Sequence, residues 1–364
     1  MTTIADLPAP AHLPDTGLAV VGGVDTHADT HTAAVIDTAG RLLGHAQFPT
    51  TCAGYAALLA WLIGHGLLTQ VGVEGTGAYG AGLARHLTAA GVQVIEVDRP
   101  DRKTRRFAGK SDPIDAEAAA RAVLAGRAGG TPKTRTGSVE AIRVLRVART
   151  SAVTDRAHVM TRIKSLLVTA PADLRATLAG LTDTQLIRTC AGLRPDRTRA
   201  ADPTHATKIA LRSLARRHTD LTVEIGELDA VLDDLVAAIN PALIAAFGVG
   251  TDVAGQLLVT AGDNPARLHS EAAFAALCGV APVPASSGKT TRHRLNRGGD
   301  RQANSALYRV VLVRLRYDER TRAYRKRRTE EGLSTKEIIR CLKRLIAREL
   351  YYLIINPTSV AATT

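Results

Sequence analysis

Aromatic side chains are scarce in this chain of 364 residues: phenylalanine, tyrosine and tryptophan together make up 3%. Platforms of stacked rings, on which RNA-recognition and single-strand-binding modules depend, are therefore poorly supported. Cysteine is as thin. Cys52, Cys190, Cys278 and Cys341 lie far apart and form no CxxC pair. That argues against a zinc cluster or disulfide framework and leaves each as an expected small buried hydrophobe. No apolar run reaches the roughly 18 residues of a membrane-spanning helix. The N-terminus lacks a charged-then-apolar leader pattern, so a cytoplasmic protein without a membrane role is expected. Acidic residues are also in deficit, 34 against 47 Lys and Arg, for a net charge of +13. Such an excess points to a polyanionic partner, and with so few rings it is expected to act mainly on phosphates.

The hydrophobic pattern divides the chain. Residues 1–16 are Pro- and Ala-rich and expected to be disordered. Apolar segments over 18–25, 32–37 and 41–48 read as three strands, and 70–74 and 93–97 as two more. Helical patterns cover 56–63, 80–90 and 113–125. Strands followed by helix–strand alternation suit a mixed sheet flanked by helices, an order that also matches the ribonuclease-H-like fold. The first domain is placed at 17–128 and a Gly/Pro/Thr-rich linker at 129–137. Residues 138–240 carry helical periodicity, with long helices expected over 139–168 and 221–239, a coiled coil or helical hairpin. A third region, 241–355, opens on Phe247-Gly-Val-Gly-Thr251, a helix-hairpin-helix-like turn, and ends in a tail over 356–364.

Four acids stand out. Asp25 closes the first strand, within Gly-Val-Asp-Thr-His, and Glu74 closes a later one. Asp112 and Asp115 lie three apart at a helix start in Ser111-Asp-Pro-Ile-Asp115. Acids on two strand ends and one helix face can converge at one sheet edge. Carboxylates crowded there would repel without a cation, and oxygen donors suit Mg²⁺ or Mn²⁺. Taken singly, each acid has a plainer use: Asp112 as a helix cap ahead of Pro113, Asp115 favoured by the helix dipole, Asp25 in a turn.

Two other patterns compete. Gly75-Thr-Gly77-Ala-Tyr-Gly80 is a GxGxxG between strand and helix with Glu96 about 20 residues on, the spacing of a dinucleotide site. It follows a later strand of the domain rather than the first. His27 and His31 are four apart but flank a strand–turn, so surface histidines are expected.

The second half carries Gly279-Val-Ala-Pro-Val-Pro-Ala-Ser-Ser287-Gly-Lys289, then Arg292, Arg294, Arg297 and Arg301. A serine among cations can attack phosphorus when its hydroxyl is activated, and arginines can hold the phosphate. A plain Ser/Gly/Pro loop fits the same residues. Arg325, Lys326, Arg327 and Arg328 form a run expected to touch nucleic acid, although such runs usually face solvent.

Together these motifs resemble the four-acidic-residue (DEDD) insertion-sequence transposases related to Piv-type DNA invertases. The resemblance rests on Gly-Val-Asp25, Val-Glu74-Gly-Thr-Gly-Ala-Tyr, Ser111-Asp112-Pro-Ile-Asp115-Ala, Phe247-Gly-Val-Gly, and Gly279-Val-Ala-Pro through Ser287-Gly to Gly299-Asp300. It implies an α/β RuvC-like domain, a helical coiled-coil region and a mainly α C-terminal transposase domain. It implies that Asp25, Glu74, Asp112 and Asp115 bind Mg²⁺ and that Ser287 is a nucleophile joined transiently to DNA. It further implies a structured guide RNA from the same element, donor and target DNA, and active sites shared between protomers. The long apolar-and-basic helical middle, Ser138 to Ile239, has few partners within its own chain, so a homo-oligomer, a tetramer, is expected. The chain departs from relatives after the serine, where Arg297-Gly298-Gly299 and Asn304-Ser305-Ala306 replace a Lys-x-Gly and a Leu-Arg pair. A Holliday-junction nuclease using water, a nucleotide-binding protein and a non-catalytic nucleic-acid binder are the rival readings.

Overall fold

A computed structural model describes residues 17–97, 111–288, 293–294 and 296–357. The expected disordered N-terminus, Lys289, Arg292 and the end of the tail lie outside the described residues. The chain forms two compact units. The first comprises residues up to Thr136 together with Gly262–His269, and the second Gly137–Ala261 with the residues from Ser270 onward.

The first unit is a mixed α/β domain. Strands Ala19–Thr26 (β1), Thr30–Asp37 (β2) and Leu42–Pro49 (β3) form an antiparallel meander. Leu67–Glu74 (β4) runs parallel to β1, and Gln93–Val97 (β5) parallel to β4. The order across the sheet is β3-β2-β1-β4-β5. Antiparallel neighbours need only tight turns, whereas the parallel pairs need longer connections. Helices Cys52–Ile63 (α1) and Ala81–Ala89 (α2) supply these. The strands lie within a few residues of the segments read from the hydrophobic pattern.

Alternation along the strands sorts side chains onto two faces. Val20 and Val24 pack with Leu58, Leu62, Leu83 and Leu87 of α1 and α2. Val21, Ile36, Ile95 and Val97 pack with Ala119, Ala120 and Val123 of helix Asp112–Leu124 (α3). On this second face sit Gly23 and Gly72, which are register partners on β1 and β4. A Cβ on Gly23 would lie 2.2 Å from the Ala116 carbonyl oxygen and 2.3 Å from the Ala120 nitrogen. A Cβ on Gly72 would lie 2.7 Å from Val123 Cγ2 and 3.0 Å from the Ala119 oxygen. The two glycines therefore let α3 rest directly on the backbone of β1 and β4.

The second unit is helical. Ser138–Val168 (α4) and Pro203–Ile239 (α7) run against each other as a hairpin. The second arm starts 18 residues before the expected position, because Asp202 caps it through Thr204 and His205 and Pro203 occupies its first turn. Arg149 of α4 pairs with Asp229 of α7. Helices Ala172–Leu178 (α5) and Asp183–Ala191 (α6) close the tip. There Val159, Ile163, Leu174, Leu178, Leu186, Leu211 and Cys190 form a core of their own. The apolar stripe is thus buried within one chain, which removes the lack of an intrachain partner as a reason to expect oligomers. Cys190 and Cys278 are buried as expected, but Cys52 is exposed and Cys341 only half-buried.

The rest of this unit comprises Pro241–Ala245 (α8), Thr251–Ala261 (α9), Glu271–Leu277 (α10), Arg301–Tyr317 (α11), Glu319–Glu330 (α12) and Thr335–Ile355 (α13). The two-residue strands Val283–Pro284 (β6) and His293–Arg294 (β7) pair in antiparallel fashion. None of the described helices is long and apolar enough to cross a membrane.

Candidate active site

Asp25 and Glu74 follow the register partners Val24 and Val73 at the C-terminal ends of neighbouring parallel strands. Each lies two residues after a glycine of the α3 face, so both side chains belong to that face. The strand ends are tied together, since Thr26 Oγ1 donates to the Glu74 carbonyl over 2.8 Å. Helix α3 begins at the same edge, with Ser111 as N-cap, Pro113 in the first turn, and Asp112 and Asp115 as its first-turn acids. Free N–H groups at a helix start favour carboxylates there. The seam of Gly23 and Gly72 thereby brings the α3 acids up to Asp25.

Burial pushes the Asp25 carboxyl above its ordinary range; His27 pulls it back, and the charges of Asp115 and Asp112 add to the rise. Asp25 and Asp115 are both buried, while Asp112 is only partly covered. His27 Nε2 stands 3.2 Å from Asp25 Oδ2 and 3.3 Å from Asp112 Oδ1. One donor atom from each of Asp25, His27 and Asp112 falls within 4.8 Å of the others. A buried carboxylate crowded by two more acids fits a divalent cation, which offsets both desolvation and repulsion. Of the two histidines expected at the surface, His27 is exposed as expected and lies beside the acids, whereas His31 departs from the expectation. His31 is fully buried in β2 and stacks on Tyr55, with ring centroids 5.6 Å apart.

The Gly75–Gly80 turn is used internally. Gly75 adopts φ 71°, and Thr76 Oγ1 donates to Glu96 Oε1 over 2.5 Å. Arg267 approaches the same carboxylate at 3.6 Å, and Arg135 Nη2 donates to the Gly77 carbonyl over 2.9 Å. The acid that would hold a ribose is thus already engaged.

Ser287 lies in the second unit, exposed just beyond β6. Arg294 and Arg301 are exposed as well, and Arg297 lies near them in the same segment. Beside β7 opens a cleft of about 810 Å³, lined by Arg294, Tyr324, Arg328, Arg340 and Lys343 among others. Lys343 is buried, donates to Asn304 Oδ1 over 2.7 Å, and is pushed below its usual pKa by burial and then by Arg340. It comes from α13, distant in sequence from the serine segment, and no local motif marks it. Arg325, Lys326 and Arg327 lie on α12, of which only Thr321 is buried. Arg328 is paired with Glu331. The Phe247–Thr251 turn has Gly248 at φ 81° and packs on α11, where Arg314 Nε donates to the Phe247 carbonyl over 2.9 Å.

Residues 22–170 match the model of the DEDD transposase family of the IS110 type, and residues 241–326 match that of the transposase IS116/IS110/IS902 family. An uncharacterised 42 kDa protein of insertion element IS900 from Mycobacterium paratuberculosis is 29% identical over 134 residues, 36% of this chain and 34% of that protein. An uncharacterised 43.6 kDa protein of insertion element IS110 from Streptomyces coelicolor is 30% identical over 143 residues, 38% of this chain and 35% of that protein. The matched stretch spans about a third of the length of each relative. One model covers the acidic residues and the first arm helix and the other the serine segment, so the chain carries both domains of IS110/IS116/IS902-family transposases.

Proposed function

We propose that the chain catalyses DNA strand exchange for an insertion sequence, with a RuvC-like, ribonuclease-H-like acidic domain and a serine nucleophile. The observation that carries this reading is the glycine seam of Gly23 and Gly72, which seats α3, with its first-turn acids Asp112 and Asp115, on the two strands that carry Asp25 and Glu74 near their ends. The sheet order, with three antiparallel strands followed by two parallel ones, supports the fold assignment. Asp25, Glu74, Asp112 and Asp115 would hold Mg²⁺ or Mn²⁺. A divalent cation bound there supplies Lewis acidity to the scissile phosphate. Ser287 Oγ attacks phosphorus, a 5′-phosphoserine bond forms, and the 3′ oxygen leaves and takes up a proton. That hydroxyl then attacks a partner linkage and releases the serine, so the phosphodiester energy is conserved. The substrates are donor and target DNA, paired through a guide RNA, on a homo-oligomeric, tetrameric assembly.

Asp115→Asn tests the acidic half. Strand exchange should fall by about 10²–10³-fold, as when one electrostatic partner of a transition state is removed. Nucleic-acid binding should hold or tighten, because a negative charge near phosphate has gone. Normal exchange by this variant at limiting Mg²⁺ would remove the acids from the mechanism. Sequencing of the nucleic acid that co-purifies checks the guide: only random host fragments would count against it.

The charge on α12 should show in salt dependence. Replacing Arg325, Lys326 and Arg327 with Gln should flatten the log–log salt slope by about 0.9 for each duplex phosphate that these side chains neutralise in the wild type. Arg328→Gln alone should change the slope least, since Glu331 pairs directly with that guanidinium and lies only 3.8 Å from Arg327. A slope untouched by the triple variant would make this helix a solvated face.

A further inference from the structure

We propose that His27 is itself a ligand of the divalent ion, through Nε2, which makes the acidic centre a mixed imidazole–carboxylate site selective for Mn²⁺ over Mg²⁺. This rests on the reading of the acids as a metal site and goes beyond it, because the four-acid pattern contains no nitrogen donor.

Hydrogen atoms supply the first reason. Nε2 of a neutral imidazole carries at most one hydrogen, and ionised carboxylates carry none. Yet Nε2 sits nearly equidistant from two carboxylate oxygens, at 3.2 and 3.3 Å. One N–H cannot point well at both. Donors about 2.1 Å from an octahedral ion stand about 3.0 Å apart along a shared edge and about 4.2 Å apart across it. The two observed separations come within a few tenths of an ångström of such edges, and all three donors fall inside 4.8 Å. The loop is fixed for the purpose. His27 N donates to the Thr30 carbonyl over 3.1 Å, and the His27 carbonyl accepts from Thr50 Oγ1 over 3.4 Å. The side chain remains about half exposed, at 47%, so the position is open to an incoming ion.

Selectivity follows from donor type. Mg²⁺ prefers oxygen ligands, while an imidazole nitrogen raises affinity for the first-row transition ions. Mn²⁺ shares the coordination number of Mg²⁺ and gains from the nitrogen.

The test is Mn²⁺ titration of the full chain followed by electron paramagnetic resonance, with and without duplex DNA. Wild-type protein should show ¹⁴N coupling to bound Mn²⁺. His27→Ala should lose that coupling and weaken Mn²⁺ by about tenfold or more, with a smaller change for Mg²⁺. His27→Asp, which returns an oxygen donor, should restore ion binding without the nitrogen signal. Asp25→Asn separates the two readings. If wild type binds Mn²⁺ and Asp25→Asn does not, but His27→Ala matches wild type in affinity and no nitrogen coupling is seen, the histidine assignment fails and the acidic site stands. If wild type holds no ion in either condition, both fail.

Discussion

Protein carrying Ser287→Ala should leave no covalent trace on DNA. A nicked suicide substrate allows cleavage but lets the short leaving strand diffuse away. Wild-type protein should therefore accumulate as a phosphoserine adduct, visible on a denaturing gel. Deleting a nucleophile that acts with an organised site costs up to about 10⁶-fold, so the adduct should vanish rather than fade. Ser286→Ala should still be trapped, because it alters only the neighbouring loop position. Trapping should also require Asp25 and Asp115, since an unassisted serine hydroxyl is a weak nucleophile. Where protomers share sites, a mixture of Ser287→Ala and Asp115→Asn proteins should regain activity from assemblies that pair an intact serine with intact acids. Adduct formation by Ser287→Ala, or cleavage at the wild-type rate, would move the chemistry to a water nucleophile and make the chain a junction nuclease. Failed complementation alone would reject only the shared site.

Gly23→Val should damage the centre without touching a charged group. The added Cβ would meet backbone, not the flexible end of a side chain, at 2.2 and 2.3 Å. Overpacking of this kind costs about 1–3 kcal/mol even where side chains can yield. Here helix α3 itself must lift, and Asp112 and Asp115 lift with it. Divalent-ion affinity should drop by about 10–100-fold, the range seen when the support of a metal ligand is removed, and the melting temperature should fall. Gly22→Ala is the contrast. Its Cβ would point to the opposite face, 3.1 Å from the terminal Cδ atoms of Leu62, which can rotate aside. That variant should keep ion binding. Wild-type affinity in Gly23→Val would mean that the acids are positioned by something other than the seam.

Legibility in the sequence differs from residue to residue. The strands are legible, because β-branched and apolar runs end at recognisable turns. The placement of the four acids is legible, because each lies at or close to the end of an element. The meeting of those elements is hinted at by Gly23-Val-Asp25 and Gly72-Val-Glu74, the same glycine spacing on two strands, but only the packing of α3 gives the spacing its meaning. His27 escapes a motif built on helical i, i+4 pairing, because its partners are Asp25, two residues back, and Asp112, 85 residues ahead. His31 is polar and reads as a surface residue, whereas β2 is inner to the sheet and buried along almost its whole length. The start of α7 is obscured by Lys208, Arg212, Arg216 and Arg217, which dilute the apolar period, although Asp202-Pro203 is a readable start signal. Lys343 carries no signal at all, since its place beside Asn304 exists only in three dimensions.

The hairpin of α4 and α7 has a consequence in angular terms. A helix of 37 residues is about 55 Å long, and each residue turns it by about 100°. The tip core is therefore a headed object: its bearing about the arm axis is set by the number of residues beneath it. Seven residues added to each arm helix would extend the arm by about 10 Å and return the tip to within about 20° of its former bearing. Two residues added to each would extend it by only about 3 Å but swing the tip through about 200°. Relatives with longer or shorter arms can keep the same heading only in steps close to whole numbers of turns, such as about seven or about eleven residues, so arm length and tip direction cannot vary independently.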